Sequence, residues 1–392
     1  MIENRQMGKT GVKSSILGFG CMRLPLNGPK FSDIDFDLAT QMLHKAIDAG
    51  VNYVDSAYPY HNSGDRATHG ESENFLRDAL KNGYREKVKV ATKLPTWLVE
   101  SHRDMHRFLD EQLKYLDLRK IDFYLAHNLN SGNWGPLQEN KLFKFFEEAM
   151  KDGRIDFPCF SFHDESSLFE TIIKSYDWAL CLVQYNYLDQ QYQAGRSGVR
   201  LAAERGTAVA VMEPLRGGYL TRHVPPEPKG WLNEAHPDWS LAAWALNWLW
   251  NQPEVSVVLS GMSAMDQVED NLKTAERYAP GIFGEAEEEL VRRVVEYFAS
   301  RAQVNCTGCG YCLPCPSGVN IPKNLEFLNQ FYLFDADEAR DRCLNMYDLT
   351  VPLAERAKHC TSCSECEEKC PQHIPIPEIL EKTLSIFANS NA

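Results

Sequence analysis

Residues 51–60 read VNYVDSAYPY, an apolar alternating run that breaks at a carboxylate and ends in a tyrosine. The alternation predicts a buried strand, with Asp55 where the strand ends and Tyr60 five residues later. In parallel α/β folds, polar side chains at the carboxyl ends of strands carry the chemistry. A lone aspartate can also simply cap a turn, so the neighbouring strands decide between the two interpretations.

Strand-like and amphipathic helical runs alternate from residue 15 to about residue 274. Eight such units over roughly 260 residues match the size of a (β/α)8 TIM barrel. A doubly wound open sheet is the alternative, but no G-x-G-x-x-G follows the first strand. The predicted strands cover 15–22, 52–57, 88–94, 121–127, 157–162, 179–185, 208–213 and 256–261. The predicted helices cover 36–49, 71–81, 102–115, 141–151, 165–174, 198–205, 241–250 and 264–274.

Three segments follow from this pattern: a barrel over 1–283, a charged linker helix over 284–301, and a small, mostly helical, cysteine-rich domain over 302–392. The net charge is −13, from 41 basic and 54 acidic residues. This balance argues against nucleic acid as a partner, because phosphate contacts need clustered cations.

The N-terminal residues are polar, and the most apolar run, 239–250, is too short to cross a bilayer. We therefore expect a cytoplasmic protein without a membrane partner.

Titratable side chains follow three consecutive predicted strands. Asp55 and Tyr60 follow the second strand, Lys93 ends the third, and His127 ends the fourth. A barrel brings these ends to one mouth. A lysine beside a phenol stabilises the phenolate and lowers its pKa, while Asp55 keeps the lysine charged. Tyr60 is then the predicted proton donor, and His127 orients a carbonyl oxygen.

Five stretches in order resemble the aldo-keto reductase family: ILGFGCMRLP (16–25), DSAYPY (55–60), the lysine and histidine strand ends, QYNYLD (184–189) and VMEPLRGG (211–218). The resemblance implies a TIM barrel, a nicotinamide cofactor, and a small carbonyl or hydroxyl substrate. It also implies that the catalytic tetrad is Asp55, Tyr60, Lys93 and His127. The implied cofactor contacts are Gly20, Met22, Ser161, Gln184, Met212, Pro214, Leu215, Gly217, Ser263, Gln267 and Asn271.

The sequence departs from the family pattern at three places. Met212 stands where many members stack an aromatic ring on the nicotinamide, and Phe162 replaces an asparagine. Gly261, Met262 and Gln267 stand where members that bind a 2′-phosphate often place basic residues. Without a cation there, the sequence favours NAD(H) over NADP(H). No motif indicates a flavin, which stays an open alternative.

The loop 61–70 is long and polar. It either presents His61, Arg66 and His69 to an anionic substrate at the mouth or is a mobile surface loop.

Eight of the twelve cysteines form two short runs near the C-terminus. The second run is C-x2-C-x2-C-x3-C-P, typical of [4Fe–4S] clusters in which the fourth cysteine serves the other cluster. The first run is one residue shorter. We predict two clusters, and zinc is the alternative. The predicted ligand sets are Cys306, Cys309, Cys312 and Cys370 for one cluster, and Cys360, Cys363, Cys366 and Cys315 for the other.

This tail resembles the dicluster ferredoxin domain fused to one branch of the aldo-keto reductases. Nicotinamide moves two electrons as hydride, whereas iron–sulfur clusters move one. The clusters are therefore either structural or part of a separate route that involves an electron-transfer protein. Two further alternatives stay open. One is a redox-neutral enzyme with tightly bound nicotinamide, and the other is a non-catalytic electron-transfer or regulatory subunit.

Overall fold

The computed structural model describes residues 1–65, 67–306, 308, 310–334 and 336–388. The chain forms two compact units. One comprises Met1–Gly217 with Asp238–Ala286, and the other comprises Gly218–Pro237 with Glu287–Ala392. The predicted domain limits of 1–283, 284–301 and 302–392 stay predictions. The compact units group residues 218–237 with the C-terminal helices.

The first unit is a closed barrel of eight parallel strands, as predicted. It closes where the last strand pairs with the first, with Val258 opposite Leu17. A short antiparallel hairpin of β1 and β2 precedes the barrel. The strands are β1 (Asn4–Gln6), β2 (Lys13–Ser15), β3 (Leu17–Gly20), β4 (Tyr53–Asp55), β5 (Lys89–Leu94), β6 (Ile121–Leu129), β7 (Ile155–Phe162), β8 (Leu180–Gln184), β9 (Ala208–Met212) and β10 (Val255–Ser260).

Helices cover the outside of the barrel because each buries one apolar face, as at Met105, Phe108 and Leu109 of α3. The barrel helices are α1 (Phe36–Asp48), α2 (Glu71–Ala79), α3 (His102–Leu116), α4 (Ser131–Glu139), α5 (Leu142–Lys151), α6 (Ser166–Ser175) and α7 (Gly195–Glu204). An insertion after β9 contains α8 (Tyr219–Arg222) and α9 (Pro226–Ala235), and α10 (Leu241–Trp250) and α11 (Met265–Arg277) complete the ring.

The predicted barrel elements differ from the observed ones mainly at their ends, whereas the hairpin of β1 and β2 and the helices α4, α8 and α9 were not predicted. The predicted strand 15–22 was too long, because β3 stops at Gly20 and a 3-10 turn begins at Cys21. The predicted helix 198–205 begins earlier, at Gly195.

Side chains inside the barrel follow the two-residue period of a strand. The interior core includes Tyr53, Ala91, Leu125, Cys159 and Leu182. The next inward position on each of these strands, two residues later, lies at the mouth. Those positions are Asp55, Lys93, His127, Ser161 and Gln184. The period of the strands therefore delivers the predicted site residues to one opening.

The second unit is helical. The insertion packs there against the C-terminal segment, with the Arg293 guanidinium 3.7 Å from the centre of the Trp231 ring. The remaining helices are α12 (Glu285–Ser300), α13 (Ile321–Leu333), α14 (Asp337–Thr350), α15 (Glu365–Glu368) and α16 (Ile376–Phe387). Among the described residues, every helix is too short or too polar to cross a bilayer.

Candidate active site

The Lys93 ammonium is buried at the mouth and uses all three of its protons. It donates to Asp55 Oδ1 at 2.5 Å, to the Ser56 carbonyl at 2.7 Å and to the Tyr60 hydroxyl at 3.0 Å. The lysine is fully buried and Asp55 is 3 % exposed. A buried ammonium requires such compensation, because its desolvation costs several kcal/mol. Since Tyr60 accepts from Lys93, its own proton is directed elsewhere.

The electrostatics of this triad correct one expectation. Burial raises the pKa of the Tyr60 phenol, Lys93 lowers it less, and the net pKa lies above the ordinary value. The prediction that the Tyr60 pKa is lowered is therefore wrong when only the chain's own residues act on it. Burial alone lowers the pKa of Lys93, but Asp55 and Tyr60 outweigh it and leave the pKa raised. Tyr60 thus stays protonated and Lys93 stays charged at neutral pH.

His127 stands beside the phenol. Its ring lies 6.0 Å from the Tyr60 ring and 5.2 Å from the Trp97 ring, measured between centroids. The Thr96 hydroxyl donates to the His127 carbonyl oxygen at 2.5 Å, which fixes the end of β6. The four predicted catalytic residues therefore meet at one opening.

A second buried carboxylate lies behind the lysine and was missed by sequence reasoning. Glu73 accepts from Thr92 Oγ1 at 2.5 Å, from Gln112 Nε2 at 2.7 Å and contacts His69 Nε2 at 2.7 Å. Gln112 also donates to the Lys93 carbonyl oxygen at 3.1 Å. The network thus braces the strand that carries the lysine. The sequence signal that could have revealed Glu73 is its place on the face of α2 that turns toward β5.

Replacing Glu73 with alanine is expected to destabilise the barrel by about 2–5 kcal/mol, because buried donors lose their acceptor. Urea unfolding followed by tryptophan fluorescence measures the change. Glu71→Ala, on the same helical turn but partly exposed, is the matched control. Equal destabilisation by the two variants would contradict the assignment.

The long loop after Tyr60 does not present its histidines to a ligand. His61 is fully buried, contacts the Phe31 carbonyl oxygen at 2.7 Å and accepts from the Leu24 amide at 3.2 Å. Burial lowers the pKa of His61. His69 turns inward to Glu73, and Arg66 lies outside the described residues. The proposed anion contacts of His61 and His69 are therefore wrong, since residue type alone does not tell which way a side chain turns.

The opposite side of the mouth holds the predicted cofactor contacts. Ser161 accepts the Asn128 amide at 2.7 Å, and Gln184 donates to Asp189 at 3.2 Å. Asn271 donates to Ser260 Oγ at 2.8 Å. Gly20 and Met212 are the last residues of their strands. Met22 lies two residues after Gly20 and is exposed. The Ser263 amide donates to Gln267 Oε1 at 2.9 Å. Pro214, Leu215 and Gly217 follow β9.

Sequence reasoning also missed a cation, Arg23, on the side of the mouth that holds the predicted cofactor contacts. The Arg23 stem lies 3.4 Å from the position a β-carbon on Gly261 would take, and its guanidinium is 3.6 Å from Glu213 Oε1. Sequence separation hid this contact between the ends of β3, β9 and β10. The edge therefore has a cation, but a carboxylate neutralises it.

The cysteines of the two runs interleave in the second unit. Cys306 and Cys312 of the first run line the same cavity as Cys370 of the second. Apolar side chains such as Ile321 and Leu325 complete its wall. Three thiols around an apolar cavity match three of the four thiolates that hold a [4Fe–4S] cluster, so the described residues fit that group.

The other group of thiols has the same crossed arrangement. Burial raises the pKa of the Cys366 thiol, and the nearby Cys360, Cys363 and Cys315 raise it further. Cys315 of the first run therefore lies beside the second run. Cys309 lies outside the described residues, so its predicted role stays a prediction.

Two family models match separate segments of the chain. The model of the aldo/keto reductase family matches residues 16–279. The model of a 4Fe-4S dicluster domain matches residues 305–375.

Individual relatives are distant. The uncharacterized oxidoreductase YqkF of Bacillus subtilis is 25% identical over 309 residues, covering 70% of this chain and 91% of the relative. The 6-dehydroglucose reductase of Novosphingobium aromaticivorans is 32% identical over 129 residues, 31% of this chain and 40% of that protein. L-galactose dehydrogenase of Arabidopsis thaliana is 25% identical over 301 residues, 69% of this chain and 87% of that protein.

Among solved structures, the holo form of aldo-keto reductase AKR11C1 from Bacillus halodurans has a TM-score of 0.61 at 24% identity. The match covers 75% of this chain and 96% of that one, and it shows a shared fold.

Proposed function

Because the chain belongs to the aldo/keto reductase family, we propose that it interconverts a carbonyl and an alcohol with a nicotinamide cofactor and Tyr60 as general acid–base. The observation that carries the proposal is the triple donation of Lys93 to Asp55, Ser56 and Tyr60. A bound nicotinamide supplies or accepts the hydride. The chain's own residues handle the proton and the oxygen.

Tyr60 holds the proton that the substrate oxygen needs. Its hydroxyl accepts from Lys93, so the phenolic hydrogen is free to donate toward the oxygen of a carbonyl in the mouth. When the proton leaves, the Lys93 charge stabilises the phenolate, and Asp55 holds the ammonium in place. His127, 9 % exposed beside Tyr60, orients the same oxygen.

Two [4Fe–4S] clusters are part of the proposal, with Cys306, Cys309, Cys312 and Cys370 as one ligand set and Cys360, Cys363, Cys366 and Cys315 as the other. The cavity shared by Cys306, Cys312 and Cys370 supports the crossed assignment. Clusters supply one-electron chemistry, and an electron-transfer protein is the corresponding proposed partner.

The names of two relatives guide the choice of substrate. One is a 6-dehydroglucose reductase and the other an L-galactose dehydrogenase. We therefore propose sugars and their oxidised forms as the first substrates to test.

The test begins with anaerobic purification, followed by release and identification of bound small molecules. NADH and NADPH oxidation is then followed with a panel of aldoses, keto-sugars and simple aldehydes. We expect nicotinamide-dependent turnover with at least one carbonyl. A bound flavin without nicotinamide affinity would contradict the proposal.

Cofactor preference has its own prediction. We expect NADH to bind more tightly than NADPH, because Glu213 neutralises Arg23 at the edge where a 2′-phosphate needs a cation. Glu213→Gln is expected to raise NADPH affinity by about tenfold, since it frees the guanidinium. Fluorescence titration measures both affinities, and adding Arg23→Met should cancel the gain. An unchanged NADPH affinity in Glu213→Gln would contradict the assignment.

A further inference from the structure

A cluster of two histidines and a glutamate lies on the outer helices of the barrel, outside the catalytic mouth. His102 and His106 are one turn apart on α3, and Glu148 projects from α5. His102 Nε2 lies 2.9 Å and His106 Nε2 3.1 Å from the same oxygen, Glu148 Oε2. One ligand atom from each residue lies within 4.8 Å of the others. From this geometry we propose that the cluster is a zinc site that clips α3 to α5.

The hydrogen bond on the far side of His102 fixes the tautomer of its ring. His102 Nδ1 lies 3.0 Å from the Asn140 carbonyl oxygen, which can only accept, so Nδ1 carries a hydrogen. In the neutral ring, Nε2 therefore carries a lone pair directed at a carboxylate oxygen 2.9 Å away. Two lone pairs at that distance need a cation between them, which is either a proton on the ring or a metal ion. Bonding of the distal nitrogen to a carbonyl is also the usual orientation of a metal-ligating histidine.

The third residue adds a further nitrogen to the cluster. His106 Nε2 lies 3.1 Å from the same oxygen of Glu148, so three potential ligand atoms lie within 4.8 Å of one another. In a tetrahedral zinc site with bonds of about 2.0–2.1 Å, neighbouring ligand atoms lie about 3.3 Å apart. The observed spacings of 2.9 and 3.1 Å are close to that value. Two imidazoles and one carboxylate suit zinc and leave a fourth position for water.

One contact must open when the metal binds. Arg154 Nη2 donates to His106 Nδ1 at 2.8 Å, which keeps the proton of that ring on Nε2. Binding through Nε2 moves this proton to Nδ1, and the guanidinium must withdraw. Arg154 retains Asp110 at 2.9 Å and Asp152 at 3.1 Å, so its charge stays compensated. Arg154 is thus a competitor of the metal, and removing it has the opposite effect from removing a ligand.

The test uses the full-length protein with its clusters loaded, under argon, in equilibrium dialysis against Zn²⁺ buffered by a chelator. We expect one zinc per chain whose affinity falls about tenfold or more in His106→Gln and in Glu148→Gln. Arg154→Gln is expected to bind the same zinc several-fold more tightly, since a cation beside the ligand is gone.

His236→Gln is the matched control. His236 also lies 2.9 Å from a carboxylate, that of Glu287, and its side chain is 30% exposed, as is that of His102. Its zinc binding should equal that of the wild type. Cluster absorbance and far-UV circular dichroism confirm that each variant folds. Equal zinc affinity in the wild type, His106→Gln and Glu148→Gln would overturn the proposal, as would weaker binding by Arg154→Gln.

Discussion

Replacing Tyr60 with phenylalanine is expected to slow carbonyl reduction by about 10²–10⁴-fold, because it removes the hydroxyl that donates the proton to the substrate oxygen. The phenol ring and its packing remain, so nicotinamide affinity should change little. Steady-state kinetics of the reductive reaction and fluorescence titration of the cofactor measure the two effects separately.

Tyr58→Phe is the control for this variant. Tyr58 is buried two residues earlier, and its ring packs against Phe108 at 5.3 Å. The substitution removes a phenol from the same segment without touching Lys93. Full turnover in Tyr60→Phe, or an equal loss in Tyr58→Phe, would remove the proton-donor role.

The pH dependence of carbonyl reduction provides a second test of Tyr60 as the proton donor. Burial raises the Tyr60 pKa above its ordinary value, so the protonated form needed for reduction is present at and below neutral pH. Reduction should therefore be flat across neutral pH and fall only as the pH rises through that raised pKa. Oxidation needs the phenolate and should rise over the same range. A fall in reduction near neutral pH in the wild type would point to another acid.

The second large effect concerns the clusters. Cys370→Ala is expected to lower iron and sulfide by about half, since each cluster carries roughly half of the iron in a two-cluster domain. The remaining cluster should be the one held by Cys360, Cys363, Cys366 and Cys315. Iron analysis and electron paramagnetic resonance of the reduced protein measure the content and the type of cluster that is left.

Crossed ligation predicts which pairs of cysteine variants retain the same cluster and therefore share a spectrum. Cys370→Ala and Cys306→Ala should leave the same spectrum, because both remove ligands from the cavity that they share. Cys315→Ala and Cys360→Ala should leave the other spectrum. If Cys370→Ala matched Cys360→Ala instead, each run would bind its own cluster and the crossed assignment would be wrong.

Much of the site could be predicted because strands have a period of two. Once 53 and 55 are read as inward positions, the same counting places Lys93 and His127 at the mouth, and Lys93 does contact Asp55 and Tyr60. Cysteine spacing is equally local, so the 4Fe-4S domain could be identified before any coordinates.

What could not be predicted depends on contacts between distant segments. Glu73 meets Gln112 across 39 positions, and Arg23 meets Glu213 across two strand ends. The His61 ring was misjudged because its partners, Phe31 and Leu24, lie 30 and 37 residues upstream. The raised Tyr60 pKa was missed because the cost of burial outweighs a neighbouring charge that is visible in the sequence.

The most direct test of the account follows deuterium from nicotinamide to product. NADH carrying deuterium on the transferable position of C4 is incubated with the anaerobic protein and a carbonyl that it reduces, and the product is analysed by mass spectrometry. We predict deuterium on the former carbonyl carbon with the wild type, and about 10²–10⁴-fold slower labelling with Tyr60→Phe. Hydrogen from solvent at that carbon, with turnover driven by reduced clusters alone, would contradict it.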